Sequence, residues 1–206
     1  MPLRPTAALF DIGNVLVDVD FSRGLLPLVP PDAGNPGTRL RALLDKINDL
    51  ETGRITTSAF IATASEDLSF SGSEEEFRAA WNSIFQPLRV MWPVVSFLKS
   101  LGLKLVLFSN TNSMHITWLL ENYEVFEEFE GKVFSHEVGL SKPDPTIYRH
   151  AIGTFDLTPE ETLYIDDLPE NIAAGHSMGL RCHQYAQEQH HELIDWLDQE
   201  FGMPAR

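Results

Sequence analysis

Asp11 stands where an apolar run, Leu9-Phe10, gives way to Ile12-Gly13-Asn14, so a carboxylate marks the point at which a buried strand would turn into a glycine-containing loop. A nucleophile or a metal ligand suits that position. Three later segments carry polar groups in the same way. Leu107-Phe108 is followed by Ser109-Asn110-Thr111-Asn112, Lys142 lies in Gly139-Leu140-Ser141-Lys142-Pro143-Asp144-Pro145, and Tyr164-Ile165 is followed by Asp166-Asp167. A hydroxyl, an ammonium and carboxylates are what binding a phosphate together with a hard cation requires. Taken singly, each has a plainer reading: an Asp after a strand as turn former or helix cap, Ser-Asn-Thr-Asn as a turn and N-cap, Lys142 as a solvated charge. The adjacent Asp166-Asp167 pair is harder to explain that way, because two neighbouring carboxylates repel unless water or a cation compensates.

These groups meet only if the elements before them lie side by side. Leu103 to Phe108, Lys132 to Ser135, Thr162 to Ile165 and Arg181 to Tyr185 read as buried parallel strands. Helical patterns alternate with them over Met114 to Asn122, Pro145 to Phe155, Pro169 to Met178 and His190 to Phe201. That alternation predicts an α/β fold with a doubly wound parallel sheet, whose ligands sit at the carboxyl ends of the strands. Between the first strand and Leu103 the pattern changes to helices. Leu40, Leu43, Leu44, Ile47 and Leu50 mark one helix face; Phe60, Ile61, Ala64 and Leu68 a second; Phe77, Ala80, Trp81, Ile84 and Phe85 a third, preceded by a Ser73/Glu76 capping box. Val94 to Leu101, closed by Gly102, reads as the helix that returns the chain to the sheet. The expected organisation is a core of residues 1–17 and 89–206 with a helical cap, 18–88, overhanging the site. Pro30 to Gly37 reads as a surface loop.

Composition bounds the partners. Of 206 residues 43% are hydrophobic, and 15 Lys and Arg against 30 Asp and Glu give a net charge of −15, a field that repels nucleic acid and anionic membranes. The single Cys182 excludes an intrachain disulfide framework and fits a buried, unreactive thiol in a reducing cytoplasm. No stretch approaches the roughly 18 apolar residues of a membrane span, and Met1 to Thr6 lacks the apolar centre of a signal peptide. Trp81, Trp92, Phe85 and Phe77 read as packing residues, and His190-His191 as solvated helix residues. No pattern speaks to oligomeric state.

Phe10-Asp11-Ile12-Gly13-Asn14-Val15-Leu16, Leu107 to Asn112, Ser141-Lys142-Pro143 and Tyr164 to Asn171 resemble, in order, the four motifs of the haloacid dehalogenase-like (HAD) hydrolase superfamily, and the inserted helices are similar to its small helical cap. Asp11 to Phe21, Gly53-Arg54-Ile55 and Ser109 to His115 look like the bacterial α-D-glucose-1-phosphatase branch. The resemblance implies a Rossmann-like core and a Mg²⁺-dependent phosphatase acting on a small phosphorylated metabolite such as a sugar phosphate. Asp11 would be the nucleophile that forms an aspartyl-phosphate. Asp11, the Gly13 carbonyl and Asp167 would hold Mg²⁺, with Asp166 acting mainly through water. Ser109 and the Asn110 backbone N–H would bind phosphate oxygens, Lys142 would offset negative charge, and Asn171 would orient the cluster.

Gly13 departs from the superfamily pattern, which places there an Asp that serves as acid and base, worth roughly 10²–10⁴-fold in rate. Three outcomes stay open: a phosphatase with another acid or a good leaving group, a 2-haloacid dehalogenase-type hydrolase with the same nucleophile, or a phosphate-binding protein without turnover. His115, Asp18 and Asp20 are candidate replacements, each with a capping or solvated alternative. The glucose-1-phosphatase branch carries the same glycine, and the intact Asp166-Asp167 pair favours a metal site over dehalogenation.

Overall fold

In the computed structural model, which describes residues 4–201, all four residues of the first strand, β1 (Ala7–Phe10), are buried. A strand without a polar face must lie inside a sheet covered on both sides. The chain then runs through β2 (Val17–Val19), α1 (Phe21–Leu25), α2 (Pro36–Leu44), α3 (Ile47–Glu51), α4 (Thr57–Leu68), α5 (Glu74–Asn82) and β3 (Phe85–Pro87). It continues with α6 (Trp92–Ser100), β4 (Lys104–Ser109), α7 (Ser113–Asn122), β5 (Gly131–Phe134), α8 (Ser135–Val138), α9 (Pro145–Phe155), β6 (Thr162–Asp166), α10 (Pro169–Ser177), β7 (Arg181–Gln184) and α11 (His190–Phe201).

Five strands form one parallel sheet in the order β5-β4-β1-β6-β7. Successive side chains of a strand point to opposite faces, and the core divides accordingly. Ala8, Phe10, Leu105, Leu107 and Ile165 pack with α6, α7 and α11, whereas Leu9, Val106, Phe108 and Tyr164 pack with α9. The fold is the doubly wound α/β sheet that the alternation of elements predicts. Because β1 lies between β4 and β6, its carboxyl end opens at the point where the winding reverses.

The helices between β2 and β3 have a core of their own, with Leu25, Leu43, Phe60, Phe77 and Trp81 buried together and Met114 of α7 joining them. The Ser73/Glu76 capping box is present at α5. Two local expectations change. The Leu40-to-Leu50 face is two helices, since α2 ends at Leu44 and α3 begins at Ile47; Leu43 and Leu50 reach the same core from either side of the break, so apolar spacing does not register it. Phe85 is not on α5 but in β3, antiparallel to β2 with Val19 opposite Phe85. An aromatic ring fits the pleated ribbon, and the Asp20 N–H donates to Ile84 O at 3.0 Å to extend it. Pro36 opens α2 behind an Asn35 cap, so the Pro30-to-Gly37 loop ends two residues earlier than expected.

Phe77 and Trp81 are buried, and Trp92 packs partly buried against the sheet core. Cys182 is half-buried rather than fully buried, and desolvation pushes its thiol up to about 12, which keeps it unreactive. Among the described residues no helix is long and apolar enough to cross a membrane. The first three residues of the Met1-to-Thr6 stretch lie outside the described residues.

Candidate active site

Asp11, Ser109, Asn110, Asp166 and Asp167 occupy the carboxyl ends of sheet strands or the residues just after them, Lys142 lies in the loop after α8, and Asn171 is on α10. Asp11 follows β1, and its N–H donates to Ile165 O at 2.9 Å, so β1 and β6 deliver Asp11 and Asp166 together. Ser109 ends β4, and Asn110 follows. The Asn110 side chain clamps Lys142 through two bonds, donating to Lys142 O at 2.9 Å and accepting from Lys142 N at 2.8 Å. That clamp fixes a loop residue with strand-like precision. Ser135 holds the turn from behind, its hydroxyl bridging the N–H and carbonyl of Thr111.

Lys142 Nζ lies 2.9 Å from Asp11 Oδ1 and 2.6 Å from Asp166 Oδ2, and it donates to Phe108 O at 2.8 Å. Its side chain is 1% exposed and that of Asp166 0%, so this is a buried ion pair. Burial alone would lower the Lys142 pKa; the two carboxylates override it and hold the ammonium above its ordinary value. Asp166 has no spare lone pair: Oδ2 accepts from Lys142 and from the Tyr164 hydroxyl at 2.6 Å, and Oδ1 accepts from the Leu168 N–H at 3.0 Å and Asn171 Nδ2 at 2.9 Å.

Asp11 differs. Its Oδ1 is buried and lies 2.9 Å from the Lys142 ammonium, without the four donors that saturate Asp166. Burial raises its pKa to about 6, with Lys142 opposing and Asp166 adding to the rise. Asp167 is half-buried and also raised, by burial first, against the bond from Asn14. Ligand oxygens of Asp11, Asp166 and Asp167 all lie within 4.8 Å of one another. Three carboxylates so close to one lysine leave an excess of negative charge that a cation would neutralise.

A cavity of about 290 Å³ opens over these groups, lined by Asp11, Gly13, Ser109, Asn110, Lys142 and Asp167 among others. Its size falls near the lower limit of small-molecule sites, roughly 300–1,000 Å³. The candidates for a proton donor do not all face it. Asp18 is paired with Arg23 at 2.8 Å, and Asp20 caps α1. His115 reaches the wall, but it is stacked on Trp81 at 4.8 Å and its Nε2 lies 3.2 Å from Trp81 O. A carbonyl can only accept, so Nε2 carries the proton and Nδ1 accepts from Asn112 Nδ2 at 3.0 Å. Desolvation lowers the His115 pKa to about 3, which fixes the ring as neutral.

Three contributors were given no role by the motifs, although Asn14 and Tyr164 stand within them. Asn14, at φ 52°, donates from Nδ2 to Asp167 at 3.0 Å and accepts the Val19 N–H at 3.2 Å, tying the loop after β1 to the end of β6. Tyr164 points the same way as Asp166 because they are two residues apart on one strand, a spacing that could have revealed it. Glu51, the last residue of α3, also lines the cavity, and burial, reinforced by Asp11, raises it to about 7. A carboxylate in a last helical turn opposes the helix dipole, and that is the sequence signal it carries.

A model of the haloacid dehalogenase-like hydrolase family matches residues 5–179. A D-ribitol-5-phosphate phosphatase from Bacteroides thetaiotaomicron is 26% identical over 190 residues, covering 85% of this chain and 89% of the relative. A sesquiterpene phosphatase from Aspergillus oryzae is 26% identical over 180 residues, covering 84% and 86%. The solved structure of a HAD family enzyme from Bacteroides thetaiotaomicron in complex with magnesium and inorganic phosphate superposes with a TM-score of 0.77 at 26% identity, over 89% of this chain and 95% of that one. With all four strand-end segments inside the matched stretch, the chain belongs to the haloacid dehalogenase-like hydrolase family.

Proposed function

We propose that this chain hydrolyses a small sugar or sugar-alcohol phosphate, with Mg²⁺ bound and Asp11 as the nucleophile. It is a phosphoric monoester hydrolase of its family. The observation that carries the finer reading is the buried Asp11 carboxylate, held 2.9 Å from the Lys142 ammonium and lining the cavity beside Ser109 and Asp167. Glucose 1-phosphate is the leading substrate on the motif resemblance and ribitol 5-phosphate on the named relative.

Asp11 is aimed at phosphorus, and Lys142 keeps the approach of two anions favourable. The Ser109 hydroxyl and the Asn110 N–H hold phosphate oxygens, a task for which the Asn110 side chain is unavailable because it clamps Lys142. The oxygen-rich donor set suits Mg²⁺, which would be held by Asp11, the Gly13 carbonyl and Asp167. When bound, that ion neutralises charge developing on the transferred phosphoryl group. Asp166, with both oxygens engaged, serves in this reading to hold Lys142 and Asn171 in place. We propose that residues 18–88 act as the cap and the remainder as the core.

The test is phosphate release from a panel of sugar phosphates, polyol phosphates and nucleotides with Mg²⁺ or with EDTA, beside halide release from 2-haloacids. Mg²⁺-dependent phosphate release that Asp11→Asn abolishes in a folded protein supports the reading. Metal-independent halide release, or retained phosphatase activity in the variant, overturns it.

A further inference from the structure

We propose that Glu51 is the proton-transfer residue of the reaction, giving its proton to the leaving alcohol and then taking one from the attacking water, the task an aspartate at position 13 would perform. The inference rests on the phosphatase reading above and names a catalytic group for it. Position 13 carries no side chain, and the groups nearest in sequence are committed elsewhere: Asp18 to Arg23, Asp20 to the α1 cap, and His115 to Trp81 and Asn112 in a neutral form. Asp166 is saturated, and Asp11 and Asp167 belong to the nucleophile and metal positions. Among the described residues lining the cavity, Glu51 is the remaining carboxylate.

Its placement is built in. Gly53, two residues on, adopts φ +67°, and a Cβ there would lie 2.7 Å from His136 O, so the loop after α3 sits directly on α8 of the core. A glycine is required for that approach. The contact carries Glu51 from the inserted helices to the wall of the cavity that Asp11 also lines, close enough for the two carboxyls to interact. Apolar side chains from Val19, Phe21, Ile84 and Phe85 line the same space and limit water around it.

The charges facing Glu51 are Asp11 and Lys142 in the cavity, while α8, packed against α3, brings His136 and Glu137; neighbouring Asp49 and Arg54 are paired with each other at 3.3 Å. Burial first, then Asp11, raise the carboxyl to about 7 against the pull of Lys142, so both protonation states are accessible near neutrality. In the first step the Asp11 carboxylate oxygen bonds to phosphorus, the ester P–O bond breaks, and the leaving oxygen takes the Glu51 proton. In the second, a water oxygen bonds to phosphorus, its proton goes to the Glu51 carboxylate, and the bond to Asp11 breaks. Asp11 and Glu51 end as they began, and the products are the alcohol and inorganic phosphate.

The experiment compares wild type, Glu51→Gln and Glu51→Asp, each shown to be folded by circular dichroism, with Mg²⁺ on two substrates. One is the alkyl phosphate that the wild type turns over fastest; the other is p-nitrophenyl phosphate, whose leaving group needs no proton. Glu51→Gln should lower kcat for the alkyl phosphate by roughly 10²–10⁴-fold with KM little changed, and the wild-type pH limb near 7 should disappear. With p-nitrophenyl phosphate a stopped-flow burst of nitrophenolate should persist while steady turnover falls, because only the second step lacks its base. Glu51→Asp should restore part of kcat and a shifted limb. An effect on KM alone, an unchanged pH profile, or a Glu51→Gln kcat within about threefold of wild type overturns the assignment while leaving the phosphatase reading intact. A wild type that releases no phosphate from any ester overturns both.

Discussion

Asp166→Asn isolates what the buried charge beneath the nucleophile contributes. The exchange keeps the size of the side chain but turns one acceptor oxygen into an N–H₂ donor. In one orientation the amide nitrogen faces Lys142 Nζ and the Tyr164 hydroxyl, both at 2.6 Å from the carboxylate; in the other it faces the Leu168 N–H and Asn171 Nδ2, at 3.0 and 2.9 Å. Tyr164 and Asn171 can turn to accept, but neither Lys142 nor a backbone N–H can. One donor therefore loses its acceptor in either case, and Lys142 also loses one of the two carboxylates that balance its burial. Breaking a buried pair in this way costs about 3–5 kcal/mol, against a total stability of about 5–15 kcal/mol. For a chain of this size that corresponds to a fall of roughly 6–20 °C in Tm, at about 2–4 °C per kcal/mol. Urea unfolding of wild type, Asp166→Asn, Lys142→Met and the double variant measures it. The double variant should lose less than the sum of the single losses by more than about 1 kcal/mol, because the Lys142–Asp166 contact is lost once in the double variant but is counted twice in the sum. A single-variant loss below about 1 kcal/mol, or strict additivity, would refute the reasoning.

Three further outcomes follow from the geometry. Stability should drop as the pH falls below 6.5, because His115 is held neutral with a pKa of about 3 while the unfolded ring protonates; at pH 5 the loss is about 2 kcal/mol, and a urea midpoint that falls no further for wild type than for His115→Gln would contradict this. Mg²⁺ should raise Tm over EDTA, by the equivalent of about 2.7 kcal/mol at a hundredfold excess over Kd, and Asp167→Asn should blunt that rise; equal shifts in both proteins would remove Asp167 from the metal site. Ser73→Ala removes the reciprocal cap of α5 and should cost about 1 kcal/mol in urea unfolding without altering kcat.

The sheet was readable because its strands are short apolar runs ending in polar groups, a pattern that burial on both faces produces directly. The cap of α5 was readable because Ser73 and Glu76 encode it locally. What local pattern could not supply was direction. Leu43 and Leu50 keep helical spacing across a break between two helices, and Phe85 is as apolar in a ribbon as on a helix. The same holds in the cavity. Ser109, Lys142, Asp166 and Asp167 announce themselves through strand ends, whereas Glu51 faces Asp11 only because Gly53 lets one loop rest on His136, a tertiary contact with no local signature. His115 shows the reverse error, since a residue with suitable chemistry is disarmed by Trp81, thirty-four positions away.

The β2–β3 ribbon also bears on how the chain finds its fold. The central pairing of the sheet sets Ala7 opposite Lys104, and closing so long a loop costs roughly 4 kcal/mol of chain entropy. Val17 opposite Pro87 ties off the intervening helices at their base. Once that pair has formed, the free path between the two strands is about a quarter as long, and closure becomes cheaper by roughly 1 kcal/mol. The ribbon thus lowers the contact order that the sheet experiences during folding, and changes that loosen Val19 against Phe85 should slow refolding more than they speed unfolding.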